Sequence, residues 1–295
     1  MKKVSYLVLF LFISLGKLSG QDYLPYYHLC NDADEQIYLK DYDLALEKFD
    51  SAFSKVPYVH NLQYIKASKC AILSNQHKKA YEYICQLKKQ GNSDDFFKKK
   101  PFKAFKKSHY YELYKDSIEV YNMIFESSVH QEYTRLIDSL HYIDQNVVRK
   151  NYIRISKEKR KKLMALDQEI FEKLLELIDE YGFPSEQLLG RDTYFSVATI
   201  LLHNLREPQN QKYHAMALKA VKNGAYLPSN YAYMYEVYCE ISDNGTYYMT
   251  FNQDLSEGNI ARIDKNRKEI GLPPLSSYFL KNNGRTMNFK WGRFK

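Results

Sequence analysis

The chain has 295 residues, 26% of them charged, with 43 Lys and Arg against 35 Asp and Glu and a formal net charge of +8. That length suffices for one large domain or two small ones, and the charge excess is too mild to mark a nucleic-acid binder. Four irregularly spaced cysteines (Cys30, Cys70, Cys85 and Cys239) exclude a paired metal motif.

Residues 1–20 have the layout of a secretory signal peptide. Lys2 and Lys3 form a basic start, an apolar run extends from Val4 to Leu15, and small and polar residues lead to Gly20. The apolar run is shorter than the ~20 residues that span a bilayer. Cleavage after Gly20 removes Lys2, Lys3 and Lys17 and lowers the net charge from +8 to +5. The remaining chain has no second long apolar run, so we expect an exported protein, periplasmic or secreted, without a transmembrane helix. Export permits disulfides, yet the cysteine spacing favours four small core thiols.

Residues 21–116 read as helical repeats. Tyr42, Ala45, Phe49, Ala52 and Pro57 follow helical spacing, with small residues where a neighbouring helix approaches and a proline that ends the helix. Ala80, Ile84 and Leu87 repeat Ala45, Phe49 and Ala52 at an interval of 35 residues. Tyr64, Ala67 and Ala71 mark the first helix of that second unit. This set resembles the second helix of a tetratricopeptide repeat and is degenerate elsewhere, since the helix of residues 22–39 lacks that family's usual residues. Two units do not bury a continuous stack alone. The segment Phe96–Tyr114 is therefore expected to cap them, through Phe102, Phe105 and Leu113, with Pro101 opening a helix.

From Phe102 to Tyr181 there is no glycine or proline, which predicts two or three long helices with breaks near Ser127–Ser128 and Ile155–Ser156. Residues 117–163 connect the halves and carry a basic run: Arg149, Lys150, Arg154, Lys157, Lys159, Arg160, Lys161 and Lys162. A second cluster runs from Lys98 to Lys107. Both read as solvated faces, with contact to an anionic surface as the functional alternative.

Residues 164–280 read as a separate helical unit. Leu166, Ile170, Leu174, Leu177 and Ile178 form one stripe, ending at Gly182–Phe183–Pro184. Further stripes are Phe195, Ala198, Thr199 and Leu202; then Tyr213, Ala217, Ala220 and Val221; then Tyr231, Met234, Tyr235 and Tyr238. Gly91, Gly182, Gly224 and Gly271 each sit where a helix C-cap favours glycine. A small β-hairpin is expected between Thr246–Phe251 and Ile260–Ile263, followed by a short helix over Asp264–Ile270. Residues 281–295 are expected to be a loose basic tail. The fold class is thus all-α: tetratricopeptide-like hairpins followed by a helical domain with one small hairpin.

Several ordered pieces of residues 135–280 carry a resemblance. They are Asp144–Gln145 with Arg149; Asp167, Tyr181–Gly182–Phe183–Pro184 and Gly190; Leu202–His203 with Gln211; and Asp264, Arg267, Gly271, Leu272, Pro274, Leu275 and Tyr278. The set resembles a bacterial family known only as domain of unknown function number 6624. The resemblance implies a helical fold, often preceded by a tetratricopeptide-like segment in exported proteins, and no known activity. Two polar pieces depart from the pattern. An expected Asp–Arg pair reads Tyr235–Glu236, and an expected Tyr–Gly–Thr–Gln turn reads Tyr248–Met249–Thr250–Phe251. That departure favours a binding or structural role.

Candidate chemistry is sparse. His203, near the end of an apolar helix, is a candidate general base, with Asp167 or Asp144 as the carboxylate beside it. Structural histidines and surface ion pairs are the plainer readings. No phosphate loop, nucleophile elbow or paired-histidine zinc motif occurs, and neither a metal nor a cofactor is expected. Tyr42, Tyr64, Arg149 and Arg160 are the candidate binding residues. The leading expectation is a binding or scaffold module for a protein or peptide partner in the cell envelope. The rival is a hydrolase-like enzyme on an envelope polymer or peptide.

Overall fold

A computed structural model describes residues 22–148, 150, 156–248 and 257–275. Residues 1–20, where the sequence predicts a signal peptide, Arg149 and the tail from residue 281 lie outside these. Fourteen α-helices account for most of the described residues, which contain no strand.

The first four helices form two stacked hairpins. They are α1 (Leu24–Leu39), α2 (Tyr42–Phe53), α3 (Asn61–Leu73) and α4 (His77–Lys89). α1 packs along α2, α3 along α4, and α2 against α3. Asp41 caps α2, its carboxylate accepting from the Leu44 N–H at 3.1 Å. The predicted inner positions Ala45, Phe49, Ala52, Ala80, Ile84 and Leu87 are all fully buried. Five alanines without exposure (Ala45, Ala52, Ala67, Ala71 and Ala80) let the helices approach closely, and full burial of Phe49 contributes ~2–3 kcal/mol.

Phe96, Phe97, Phe102 and Phe105 are buried where a 3-10 turn (Asp94–Lys98) and α5 (Phe102–Phe105) close over the stack. Here α5 packs on α3, and α6 (His109–Asp116) packs on α4. Leu113, expected among the capping residues, is 46% exposed, and Tyr114 occupies the inward position instead.

The stretch from Phe102 to Tyr181 is more broken than expected. After α5 and α6 come α7 (Ile118–Ser128), α8 (Gln131–Ile143), a π-helical turn (Asp144–Val148) and α9 (Lys157–Tyr181). The breaks at Ser128 and Ser156 fall where the sequence placed them. Serines make the others too: Ser108 precedes α6, and Ser117 separates α6 from α7. Serine offers the backbone a non-helical alternative, so helices can end without glycine or proline.

The C-terminal helices are α10 (Glu186–Leu189), α11 (Arg191–Leu205), α12 (His214–Lys222), α13 (Pro228–Ile241) and α14 (Glu257–Glu269). α11 lies at their centre, against α8, α9, α10 and α13. Its buried side is Tyr194, Val197, Ala198, Ile200, Leu201 and Leu205. The predicted stripe was out of phase: Phe195 is 36% exposed, and Thr199 and Leu202 are partly exposed. A helix contacted on several sides shows no clean amphipathic period. The expected hairpin is also corrected. Ile260–Ile263 belongs to α14, whose inward residues Ile263, Asn266 and Arg267 recur at helical spacing, with Ile270 buried just after its end; residues 249–256 lie outside the described set.

One buried cluster runs from Tyr23 to Leu272 and passes through Tyr133, Ile137, Val148 and Leu163 in the connecting segment. α1 ties its two ends. The Tyr23 N–H donates to the Lys222 carbonyl at 2.8 Å, and the Tyr27 hydroxyl donates to the Val221 carbonyl at 3.3 Å. Asn31 Nδ2 donates to the Gly271 carbonyl at 2.9 Å.

Candidate functional site

The tyrosines of α1 build the first polar feature. Tyr23, Tyr26 and Tyr27 surround His60, and the Tyr27 ring stacks on the imidazole. His60 Nδ1 lies 3.0 Å from Glu186 Oε2, and Asn61 Nδ2 donates to Glu186 Oε1 at 2.9 Å. Asn92 Nδ2 donates in turn to Asn61 Oδ1 at 3.3 Å. His60 and Glu186 are 1% and 5% exposed, so this network is sealed from ligands. Its role is to join α3 to α10, and nothing in the local sequence announces a partner 126 residues away.

The same α1 forms one wall of a cleft of about 750 Å³. That volume falls in the range of small-ligand and short-peptide sites, ~300–1,000 Å³. The opposite wall comes from α3, through Leu62, Gln63, Lys66 and Lys69. The end walls are Leu227–Ser229, at the start of α13, and Gly271–Pro274, after α14. Tyr27, Ile37, Tyr38, Leu227 and Leu272 give it an apolar lining. Asp32, Asp34 and Glu35 make the α1 wall acidic. Lys66 pairs with Asp34 at 2.5 Å, and Lys69 lies on the same α3 wall, while Asp32 and Glu35 make no ion pair among the described residues. Leu62 is 42% exposed, an apolar side chain offered to the opening. Gln63 Oε1 is buried without a hydrogen-bond partner. The arrangement suits a ligand with apolar groups, a cation and a hydrogen-bond donor.

Gly271 shapes this cleft. Its φ is +84°, and a Cβ there would lie 2.6 Å from the Tyr27 Cβ. Only glycine brings the loop this close to α1 in that backbone conformation. Arg267, 2% exposed, holds the same loop: its Nε donates to the Pro273 carbonyl at 2.6 Å and its Nη1 to the Tyr248 carbonyl at 2.9 Å. Burial lowers its pKa to about 10, with Asp264 and Glu236 opposing. Glu236, the position where the resemblance expected an arginine, accepts from the Tyr248 N–H at 2.7 Å. That bond ties the Tyr247–Tyr248 segment to α13.

The predicted catalytic residues form a second, separate arrangement. His203 lies in the last turn of α11, and Asp144 opens the π-helical turn after α8. His203 Nδ1 is 3.0 Å from Asp144 Oδ2 and 3.2 Å from Oδ1. Asp144 has no exposure, whereas the His203 side chain is 17% exposed. Gln145 Nε2 also donates to Asp144, at 2.5 Å. A buried carboxylate on Nδ1 orients the imidazole and directs Nε2 away from it. His141 stands nearby, its pKa lowered by burial and by the proximity of His203, while Asp144 and Asp138 oppose the shift. The structure thus brings Asp144 to His203; Asp167 sits partly exposed on α9. No group of His, Cys, Asp and Glu among the described residues is arranged to hold a metal ion. An open depression of about 660 Å³ on α8 is lined by that helix alone, from Gln131 to Ile143, and encloses nothing.

Two further histidines are structural. His130 Nδ1 accepts from the Tyr133 N–H at 3.2 Å at the start of α8. His214 Nε2 donates to the Leu205 carbonyl at 2.7 Å. Of the predicted binding residues, Tyr42 packs on the core at the start of α2, and Tyr64 packs edge-on to Phe53 at 5.0 Å. Neither belongs to the cleft lining. Arg160 is exposed near the start of α9. All four cysteines are free and buried. No described helix is long and apolar enough to cross a membrane. Comparison with protein-family models, curated proteins and solved structures gives no match to this chain.

Proposed function

We propose that this chain is an exported binding module of the cell envelope, periplasmic or secreted, that holds a peptide segment of a protein partner. Its N-terminal part is read as two degenerate tetratricopeptide-like hairpins, and its C-terminal part as a second wall for the same ligand. The observation that carries this reading is the cleft between α1, α3 and the loops at Leu227–Ser229 and Gly271–Pro274. Its apolar lining supplies affinity, and the carboxylates of Asp32 and Glu35 select a basic ligand. A random-peptide display selection against the purified protein tests it. Sequences with aromatic and basic residues should emerge and bind, and Leu62→Glu should weaken them at least tenfold. A selection without enrichment, or peptides that bind the Leu62→Glu variant equally well, would defeat the proposal.

A second reading rests on the Asp144–His203 pair. In it the protein is a hydrolase on an envelope polymer or peptide, with His203 as the general base and Asp144 as its orienting carboxylate. It predicts turnover of cell-wall fragments or envelope peptides that His203→Ala abolishes and that folding controls leave intact. Equal turnover by the variant would remove it.

A further inference from the structure

We propose that Asn244 is a self-modification site of the folded protein. Its side-chain amide is lost to attack by the Gly245 nitrogen, whereas the identical pair Asn223–Gly224 is protected. The product loosens the segment that joins α13 to α14. None of this depends on what the cleft binds.

The chemistry needs no partner but water. The backbone nitrogen of the residue after an asparagine attacks the side-chain carbonyl carbon. A new C–N bond closes a five-membered succinimide ring. The C–N bond to the side-chain amide breaks, and ammonia leaves with the proton of the attacking N–H. Water then opens the ring at either carbonyl. One product is aspartate; the other is isoaspartate, whose main chain runs through the former side chain. Glycine favours the attack because no side chain shields its nitrogen and its backbone turns freely.

The pair occurs three times, at Asn223, Asn244 and Asn283, and the third lies outside the described residues. The other two have opposite surroundings. The Gly224 N–H donates to the Val221 carbonyl at 3.0 Å, and a Cβ on Gly224 would overlap the Tyr23 ring. Asn223 is the C-cap of α12, with φ −91° and ψ 2°. Ring closure must turn this ψ until Cβ and the Gly224 nitrogen lie on the same side of the Cα–C bond. That rotation breaks the Gly224 bond and moves the turn against Tyr23. At Asn244 these restraints are missing. Asn244 and Gly245 are exposed after the end of α13. The Gly245 N–H makes no hydrogen bond among the described residues, and nothing lies within 4 Å of a Cβ placed there. The Asn244 N–H donates to the Cys239 carbonyl at 2.9 Å, which leaves the side-chain amide and the Gly245 nitrogen to react.

The segment just after this site is held from both sides. Glu236 of α13 accepts from the Tyr247 and Tyr248 N–H groups, at 3.3 and 2.7 Å. α14 donates to three successive carbonyls: Arg262 to Thr246 at 2.9 Å, Asn266 to Tyr247 at 3.1 Å and Arg267 to Tyr248 at 2.9 Å. An isoaspartate at position 244 adds one atom to the main chain and places a carboxylate close in sequence to the bonds that the Glu236 carboxylate accepts. Register and like-charge repulsion then both work against those bonds.

The test incubates the intact protein in mildly alkaline buffer, then cleaves it at glutamate for tandem mass spectrometry. Glu236 and Glu240 lie between Asn223 and Asn244, so the two sites fall in different peptides. In the folded protein Asn244 should convert at least tenfold faster than Asn223, which reacts only when its turn opens locally. In guanidinium the two rates should become similar. Equal rates in the folded protein would overturn the proposal, and so would an undiminished preference in guanidinium, which would make sequence rather than fold the cause. Hydrogen exchange at the Tyr247 and Tyr248 amides should be several-fold faster after conversion. It should stay unchanged in identically incubated Asn244→Gln protein, whose longer side chain disfavours the ring. Exchange that conversion leaves unaltered, or that rises equally in the variant, would overturn the loosening.

Discussion

Replacing Gly271 with alanine tests the joint between α1 and the C-terminal loop. Gly271 has φ +84°, which costs an L-residue ~1–2 kcal/mol. The added methyl would also lie 2.6 Å from the Tyr27 Cβ. That atom is fixed to the α1 backbone, so no rotamer change relieves the overlap and the loop must move off the helix. Such overpacking costs a further ~1–3 kcal/mol. The Asn31 bond to the Gly271 carbonyl, 2.9 Å long, would be strained by the same shift. The sum is about 2–5 kcal/mol, against a total stability of ~5–15 kcal/mol. Gly245→Ala is the control: φ is +69° and nothing lies within 4 Å of its added Cβ, so only the conformational cost of ~1–2 kcal/mol remains. Urea unfolding followed by far-ultraviolet circular dichroism measures both. Equal losses for the two variants, or a Gly271→Ala protein within 1 kcal/mol of the parent, would refute the close-approach argument.

Three further outcomes are expected. Glu186→Ala should cost ~3–5 kcal/mol in urea unfolding, because it strips the buried His60 and Asn61 of their common acceptor, and added salt should leave that loss nearly unchanged. Burial holds the pKa of His214 below its ordinary value, with its bond to the Leu205 carbonyl opposing. The unfolded state then takes up the proton first, so stability is full above about pH 6.5 and falls as the pH drops below it. Melting temperatures near pH 7.5 and pH 5 should diverge less in a His214→Gln variant than in the parent; equal divergence would contradict this. Finally, burial raises the thiol pKa to about 12 at Cys70 and about 11 at Cys239. The folded protein should therefore react negligibly with a thiol-specific disulfide reagent near neutral pH, and all four cysteines should titrate once it is unfolded. Rapid labelling of the folded state would contradict the burial.

Local signals carried much of the fold and little of the cleft. Ala45, Phe49 and Ala52 and their counterparts in α4 were readable because one face is apolar and the other polar. Gly91, Gly182, Gly224 and Gly271 were readable as helix ends, and all four have positive φ. The second half of α14 is legible as the short helix expected over Asp264–Ile270, whereas Ile260–Ile263 before it reads as a strand, because four residues with an isoleucine at each end are too short a window to separate the two periods. The Asp144–His203 contact was half legible: the residues were singled out, but only tertiary packing decides that Asp144, 59 positions away, is the carboxylate that arrives. The cleft walls come from four places in the sequence, so no window contains them. Its acids on α1 look like an ordinary solvated helix face until Leu227–Ser229 and Gly271–Pro274 are placed opposite.

The attachment of α1 has a consequence for synthesis. Its hydrogen-bond partners Val221 and Gly271 follow it by 194 and 240 residues. A ribosome therefore releases the anchoring helix first and its receptors last. Until those residues emerge, the Tyr23 N–H, the Tyr27 hydroxyl and the Asn31 amide remain without their far partners, and α1 is held only by the neighbouring hairpin helices.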